Sequence, residues 1–167
     1  MSCDEGLNEG CQGGYIYYAF KFIEKHGLVS NTVYPYVSGK DGKTHVCDMK
    51  GKDSKEKHFA KKDSTKDMSA DIEGIKNEIY TRGPLATGFV VYSDFPTYKS
   101  GIYVRTSVDA LGLHAVKLVG WGHEDGIDYW KVANSWGLTW GEEGYFRFAM
   151  KQCGIEHSVV KVESDGK

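Results

Sequence analysis

Two side chains near the ends of a predicted β-hairpin, His114 and Asn134, could together handle a proton. Segments rich in β-branched and aromatic residues flank the dipeptide Asp125-Gly126, which is a strong turn signal. If Gly122 pairs with Gly126, His114 lies directly opposite Asn134 on one face of the hairpin. The carboxamide oxygen would then accept a hydrogen bond from one imidazole nitrogen and leave the other nitrogen free to move a proton. These are the roles of the base and its orienting partner in a nucleophilic triad.

This alignment depends on the register of the hairpin, and each residue alone has an ordinary structural interpretation. A turn with Asp125 and Gly126 as its two central residues removes the alignment. A histidine at the start of a strand is more often a packed or surface residue, and an asparagine is more often a turn residue. The functional interpretation is favoured because Asn134 directly precedes two indoles, Trp136 and Trp140. We interpret them as a hydrophobic cover over the Asn–His hydrogen bond, the alternative being core packing.

The secondary structure predicted to position these residues changes along the chain from helices to strands. Apolar residues at helical spacing predict a helix over residues 14–27 with one buried stripe. A second helix is predicted to begin with Ser69 as its N-cap and to end at Gly83 and Pro84. Short β-rich segments follow at residues 85–92, 115–121, 129–133 and 145–149. Helices first and mostly antiparallel strands afterwards predict an α+β fold.

The composition limits the class of protein. The 167 residues carry 21 basic and 23 acidic side chains, and this net charge of −2 argues against a protein that binds nucleic acid. We expect no membrane span and no secretory signal peptide, because no apolar run approaches ~18 residues and the first residues are polar and acidic. Residues 38–67 are polar and lysine-rich, which favours a solvated loop. The four cysteines contain no C-x-x-C pair, so no metal site is predicted.

A series of motifs along the chain resembles the papain-like cysteine peptidases, and most closely their cathepsin B-like branch. The motifs occur in the order of the family and cover nearly the whole chain: Gly10-Cys11-Gln12-Gly13-Gly14-Tyr15, Tyr34-Pro35-Tyr36, Gly83-Pro84-Leu85, Tyr98-Lys99-Ser100-Gly101-Ile102-Tyr103, His114-Ala115-Val116, Gly120-Trp121-Gly122, Asn134-Ser135-Trp136-Gly137, Trp140-Gly141-Glu142-Glu143-Gly144-Tyr145 and Cys153-Gly154-Ile155-Glu156. The resemblance implies a truncated papain-like fold. Residues 1–67 would be a remnant of the helical lobe with the polar loop. Residues 68–167 would be a β-rich lobe, an antiparallel half-barrel, that carries the histidine and the asparagine.

The resemblance also implies roles for individual residues. His114 would be the catalytic base and Asn134 the residue that orients it. Trp136 would shield this pair, and Trp140 would form a wall of the subsites on the primed side. An extended substrate would pair with the backbone of Gln12, Gly13 and Gly14, and its P2 side chain would enter a pocket lined by Tyr15, Leu85, Ala115 and Ser158. Because a serine stands at position 158, where some cathepsin B-like enzymes have an acid, we expect an apolar P2 side chain.

Two catalytic parts of this family do not occur among the 167 residues. The nucleophile of the family is a cysteine followed by tryptophan, N-terminal to the motif that contains Cys11, and a glutamine before it contributes to the oxyanion hole. The ten residues before Cys11 form no such motif. The resemblance implies a disulfide between Cys3 and Cys47 and a partner for Cys11 in the absent segment, whereas Cys153 has no evident partner. The alternative is that all four thiols are free.

Three interpretations follow. The first is a thiol-dependent endopeptidase, present as a fragment or a heavy chain, with peptide or protein substrates, protein inhibitors and a separate N-terminal light chain as partners. The paired histidines that cover the primed end of cathepsin B have no counterpart here, which favours an endopeptidase over an enzyme that removes dipeptides. The second is an inactive homologue that binds peptides or inhibitors, and the third is an unrelated α+β domain. The family implies no cofactor, and a lysosomal or extracellular location.

Overall fold

The computed structural model describes residues 3–4, 6–48 and 57–166, so residues 49–56 of the predicted polar loop lie outside the described residues. The chain divides into two compact units. The first unit comprises Met1–Lys66 and Val162–Lys167, and the second comprises Asp67–Lys161. His114 and Asn134 therefore belong to the same unit, the second.

The first unit contains the helix that the sequence predicts over residues 14–27. This helix, α1, extends over Ile16–His26 and ends at Gly27, whose φ of 67° favours glycine. A 3-10 turn, Gly10–Gln12, precedes α1, and a one-turn helix, α2 (Ser38–Asp41), follows it. The prediction of a buried stripe on α1 is wrong, because none of its residues is buried. Tyr18 is 42% exposed, so the apolar side of this helix lacks sufficient cover from the described residues of its own unit.

The second unit combines one helix with an open, mostly antiparallel sheet. The helix is α3 (Ile72–Arg82). The strands of the described sheet are β1 (Lys66–Asp67), of which only Asp67 belongs to the second unit, β2 (Leu85–Tyr92), β3 (Ile102–Tyr103), β4 (Ala110–Glu124), β5 (Ile127–Ala133), β6 (Tyr145–Ala149) and β7 (Val160–Lys161). Their order in the described sheet is β1-β7-β2-β4-β5-β6-β3, with β3 and β6 parallel. The predicted α+β class is confirmed.

The core of the second unit follows from strict alternation along β2. Leu85, Thr87, Phe89 and Val91 are buried, and the residues between them are only partly buried. Phe89 packs edge-on against Phe95 and Phe148, with ring centroids 5.1 and 5.0 Å apart. The cluster extends to Ile75 on α3. A rigid aromatic core therefore lies beneath β4, the strand that carries His114.

The predicted N-cap of α3 is wrong by two residues. Asp71 caps the helix, because its Oδ1 accepts a hydrogen bond of 2.9 Å from the N–H of Gly74. Ser69 lies two residues before this cap, and Ala70 between them has a φ of 64°, which directs the chain away from a helix. Both residue types favour N-caps, so the sequence alone does not choose between them.

The hairpin register expected from the sequence is also wrong. Glu124 pairs with Ile127, so Asp125 and Gly126 are the two central residues of the turn. The register shifts between Leu118 and Gly120, where β4 has a bulge. The last paired residue of β5 is Ala133. Asn134 thus lies just beyond the ladder, and its contact with His114 arises from the chain after β5 and not from direct cross-strand pairing.

Candidate active site

His114 is held on β4, the central strand of the described sheet, by the pairing of β4 with β2. It lies opposite Phe89 of β2 in the antiparallel register. The two rings meet edge to face, with centroids 6.0 Å apart. His114 is partly buried. The buried aromatic side chain therefore limits the orientations open to the imidazole.

Asn134 is positioned by its own backbone and by the loop that follows β5. Its N–H donates to the carbonyl of Gly144, at 2.9 Å. Its side-chain Oδ1 accepts a hydrogen bond of 2.8 Å from the N–H of Ser135 and lies 2.8 Å from Nε2 of His114. The structure thus brings together the two residues that the sequence singled out for proton handling.

These contacts define the tautomer of His114. The Ser135 N–H can only donate, so the Asn134 atom that it meets is the oxygen. Because that oxygen is an acceptor, the proton of the imidazole must lie on Nε2. In the neutral ring, Nδ1 then holds a free lone pair, and it makes no hydrogen bond within the described part of the chain. The imidazole is therefore arranged to accept a proton at Nδ1.

The two indoles after Asn134 lie beside the imidazole. Trp136 stacks on His114, with centroids 5.0 Å apart and planes inclined by 28°. Trp140 meets Trp136 at 5.0 Å and donates from Nε1 to the carbonyl of Pro96. Both indoles also pack against Phe95. One face of the imidazole is thus covered by an indole that the core holds in place.

The site leaves one polar atom unsatisfied. Nδ2 of Asn134 is buried and has no hydrogen-bond partner among the described residues. A buried amide nitrogen without an acceptor costs free energy. The site therefore has one donor available for a group outside the described residues.

None of the cysteines of the chain hydrogen-bonds to His114 in the described structure. Cys3 and Cys47 form a disulfide in the first unit, the pair that the resemblance implies. Cys11 and Cys153 are free thiols. Burial raises the pKa of Cys153 to about 11, so this thiol is protonated near neutral pH. Cys153 is therefore a poor nucleophile.

The other predicted binding residues are divided between the two units. Gln12, Gly13, Gly14 and Tyr15 are exposed in the first unit. Ala115 and Ser158 are exposed in the second unit, whereas Leu85 is only 4% exposed and belongs to the core. Within the described ranges, no cluster of three or more His, Cys, Asp or Glu side chains has the arrangement of a metal site. No described helix has the length and apolar character needed to cross a membrane.

The sequence does not indicate three groups that hold Asn134 and His114 in place. These are the Ser135 N–H, the Gly144 carbonyl and the ring of Phe89. Two of them are backbone atoms, whose positions depend on the path of the loop. Phe89 lies in the segment predicted as β-rich, but its burial beside the neighbouring strand follows only from the structure.

The chain is similar to known proteins over nearly its full length. A family description, papain family cysteine protease, matches residues 1–162. Cathepsin B-like CP3 of Giardia intestinalis is 41% identical over 164 residues, which cover 96% of this chain and 54% of that protein. Cathepsin B-like cysteine proteinase 5 of Caenorhabditis elegans is 37% identical, with 96% of this chain and 56% of that protein covered.

Solved structures support the same likeness. The structure of proCathepsin B S9 from Trypanosoma congolense has a TM-score of 0.83 and 31% identity, and the match covers 99% of this chain and 58% of that chain. A digestive procathepsin L2 proteinase from the larval midgut of Tenebrio molitor has a TM-score of 0.78 and 28% identity, covering 97% of this chain and 50% of that chain. The predicted papain-like architecture is thereby confirmed. The chain spans about half the length of the relatives that it matches.

Proposed function

Because the chain belongs to the papain family of cysteine peptidases, we propose that it supplies the base and the orienting residue of a thiol-dependent endopeptidase. The observation that carries this proposal is the 2.8 Å contact between His114 Nε2 and Asn134 Oδ1, with Nδ1 left free. Trp136 lies over the imidazole and keeps water from one side of the pair. This arrangement supports proton transfer at Nδ1.

The first half of the proposed reaction, which ends in a thioester that water then hydrolyses, uses His114 twice. Its Nδ1 first takes the proton of a cysteine thiol, which gives a thiolate paired with an imidazolium. The thiolate attacks the carbonyl carbon of the peptide bond, and the imidazolium then gives its proton to the leaving amine. Asn134 holds the ring in one orientation through both transfers because its oxygen stays bound to the Nε2 proton. Donors at the carbonyl oxygen are needed to stabilise the developing charge.

We propose that the nucleophile and the side-chain donor of the oxyanion hole come from a segment other than these 167 residues. No cysteine in the sequence is followed by tryptophan. Cys153 is a poor nucleophile, and Cys3 and Cys47 are joined in a disulfide. The segment would belong to the same polypeptide or to a separate light chain. The solved proenzymes among its structural neighbours also suggest a propeptide as a partner.

The proposed substrates are peptides or proteins in extended conformation. The exposed backbone of Gln12, Gly13 and Gly14 would pair with the substrate. Tyr15, Ala115 and Ser158 would contact the P2 side chain, and Leu85 would support that pocket from the core. Trp140 would face the residues after the scissile bond. The neutral Ser158 favours an apolar P2 side chain, and the proposed chemistry uses no cofactor.

We propose a lysosomal or extracellular location. The disulfide between Cys3 and Cys47 supports it, because disulfides persist in oxidising compartments and are rare in the cytosol. Protein inhibitors of papain-like peptidases would be further partners in such a compartment.

The experiment is a peptidase assay on the native protein, with its intact mass measured before and after reduction. We expect an additional segment in the mass and cleavage of a fluorogenic peptide with an apolar P2 residue. In the recombinant form of that protein, His114→Ala should lower kcat by roughly 10⁴-fold or more, as loss of a catalytic base does in other nucleophilic triads. His123→Ala is the matched control, because His123 is exposed at the hairpin tip. A native protein that lacks activity but binds peptides would favour the inactive homologue instead.

A further inference from the structure

We propose that Glu142 is a positioning residue for the catalytic pair: its carboxylate, clamped by Arg147 and the Gly101 N–H, fixes the loop that carries Asn134 and Trp136. This inference rests on the proposed function of His114 and Asn134. Glu142 does not contact the imidazole, and it acts through the backbone of the loop between β5 and β6. The loop comprises residues 134–144 and is called the Asn–Trp loop below.

The Asn–Trp loop is closed by short backbone hydrogen bonds around Glu142. The N–H of Asn134 donates to the carbonyl of Gly144, and the N–H of Gly144 donates to the carbonyl of Trp140 at 2.8 Å. Glu142 and Tyr145 exchange two backbone hydrogen bonds of 2.9 and 3.0 Å. The residue that receives the Asn134 N–H is therefore only two positions from Glu142.

The loop needs an external restraint because several of its residues have positive φ. Gly141, Glu143 and Gly144 have φ values of 60°, 55° and 86°. At Gly141 a Cβ would lie 2.5 Å from the carbonyl oxygen of Tyr145, so the turn is as tight as glycine permits. A non-glycine residue such as Glu143 adopts this conformation only where surrounding contacts enforce it.

The carboxylate of Glu142 supplies that restraint. It accepts a hydrogen bond of 2.8 Å from the Gly101 N–H and forms a forked contact with Arg147, with Nη2 at 2.8 Å and Nε at 3.2 Å. The side chains of Glu142 and Arg147 are 27% and 23% exposed. Burial alone would raise the pKa of Glu142, but the hydrogen bonds from Arg147 and the Gly101 N–H, together with the charge of Arg147, outweigh burial and lower it. The carboxylate is thus charged, and it joins the loop to β6 and to the residue before β3.

Arg147 is held in turn from its other side. Its Nη1 lies 2.7 Å from Oε2 of Glu124, at the end of β4, and its guanidinium lies 5.7 Å from the ring of Tyr129. The clamp therefore links the loop to β4, the strand that also carries His114. The indoles add a second connection, because Trp136 in the loop stacks on the imidazole.

A positioning role and a purely structural role predict different results. Partly exposed ion pairs contribute little to the free energy of unfolding. Loss of the clamp should therefore loosen the loop far more than it destabilises the unit. The readout must follow the imidazole directly, and the Nε2 proton of His114 is suitable because it forms the hydrogen bond to Asn134.

The experiment compares this chain with three variants, labelled with ¹⁵N at histidine. Glu142→Gln removes the charge and keeps the volume, Glu142→Asp keeps the charge, and Glu143→Gln changes the neighbouring exposed carboxylate as a matched control. In Glu142→Gln we expect the Nε2 proton to exchange with water at least about tenfold faster, whereas Glu143→Gln stays within about twofold of the unchanged chain. Glu142→Asp should give an intermediate rate because the ion pair is retained. Hydrogen exchange of the loop amides gives a second measurement.

An activity measurement then separates this inference from the proposed function. In the complete peptidase, Glu142→Gln should lower kcat by about tenfold with KM within about twofold, since small misplacements of catalytic groups cost this much. If Glu142→Gln lowers the melting temperature but leaves the Nε2 exchange rate equal to that of Glu143→Gln, the role is structural and the inference is wrong. If the complete protein cleaves no peptide while the exchange rates differ as expected, the proposed function fails and the clamp stands.

Discussion

In the first unit no residue of α1 is buried, whereas in the second unit β2 alone buries Leu85, Thr87, Phe89 and Val91. Among the buried hydrophobic side chains of the described residues, Ala60 is the one that belongs to the first unit. The second unit therefore carries nearly all of the hydrophobic stabilisation, which scales with the apolar area removed from water.

The first unit is held by polar and covalent contacts instead. The disulfide links Cys3 to Cys47 across 44 positions of the sequence. Glu24 on α1 accepts hydrogen bonds from the N–H and the hydroxyl of Thr65, and its ion pair with Lys21 has an N–O distance of 2.8 Å. The stability of a region held by a disulfide and ion pairs depends on redox state and pH. The stability of a packed aromatic core depends instead on the size of its buried side chains. The proposed catalytic pair lies in the unit with the packed core.

The largest difference between the units should appear when a buried ring is removed. Phe95 is fully buried and packs against Phe89, Tyr103 and Phe146. Phe95→Ala should lower the free energy of unfolding by about 3–5 kcal/mol, because it leaves a cavity in the core. The partly buried Phe22 of α1 is the control, and Phe22→Ala should cost about 1 kcal/mol.

The measurement is urea denaturation followed by tryptophan fluorescence, because all four tryptophans lie in the second unit. Far-UV circular dichroism follows α1 in parallel. Equal losses for Phe95→Ala and Phe22→Ala would contradict the proposed contrast between the two units.

A second prediction concerns the disulfide. Replacing both Cys3 and Cys47 by serine should destabilise the first unit by about 2–4 kcal/mol, as expected for a crosslink that closes a long loop. Hydrogen exchange should accelerate in residues 6–48, while the tryptophan-detected transition of the second unit stays within about 0.5 kcal/mol. Cys11→Ser is the control because Cys11 is a free thiol. A large shift of the tryptophan transition would show that the crosslink also supports the second unit.

The third prediction is that the stability of each unit decreases at acid pH. Burial alone would raise the pKa of Glu24, but hydrogen bonds from Lys21, Thr65 and Asp63 outweigh burial and lower it to about 2. A lowered pKa in the folded state means that Glu24 stabilises the fold above its ordinary pKa of 4.5, and that this stabilisation is lost as the pH falls towards 2. Glu24→Gln should therefore cost on the order of 1–2 kcal/mol at pH 6 and less at pH 3.

Asp94 allows the same test of acid dependence in the second unit. Burial would raise the pKa of Asp94, but hydrogen bonds from Thr106, Tyr103 and Ser107 lower it far below the ordinary value. Asp94→Asn should thus weaken the acid dependence of the tryptophan transition, and Glu24→Gln should weaken that of hydrogen exchange in α1. The exposed Glu9 is the control, and Glu9→Gln should change neither curve. An effect of Glu24→Gln that is equally large at pH 3 and pH 6 would contradict the lowered pKa.

The two units also differ in how far their sequence predicts their structure. In the second unit, the predicted β-rich segment 85–92 forms β2, and the structure adds which alternate residues of that strand are buried. In the first unit, the stripe of α1 predicts the helix but not its burial. Periodicity shows which side of a helix is apolar, whereas burial depends on what packs against that side.

For the candidate site, the residue types were easier to predict than the geometry that joins them. The asparagine next to two indoles and the histidine on a strand indicate a proton-handling pair. The path by which they meet depends on a bulge between Leu118 and Gly120 and on a loop with positive φ at Glu143. Gly120 is only a weak signal for the bulge, since a glycine within a strand often marks one, and Glu143 gives no signal because glutamate rarely adopts a positive φ. The clamp by Glu142 could not be predicted from the sequence either, because it depends on the path of the same loop.

The smallest predicted effect tests one such local detail, the cap of α3. The side chain of Asp71 accepts a hydrogen bond from the N–H of Gly74, whereas Tyr15, the residue before α1, makes no such cap. Asp71→Ala should lower the free energy of unfolding of the second unit by about 1 kcal/mol, measured by the tryptophan transition in urea. Ser69→Ala is the matched control and should lie within about 0.5 kcal/mol of the unchanged chain, since Ser69 does not cap the helix. If Ser69→Ala costs as much as Asp71→Ala, the helix begins where the sequence predicted, and the φ of 64° at Ala70 does not separate the two candidates.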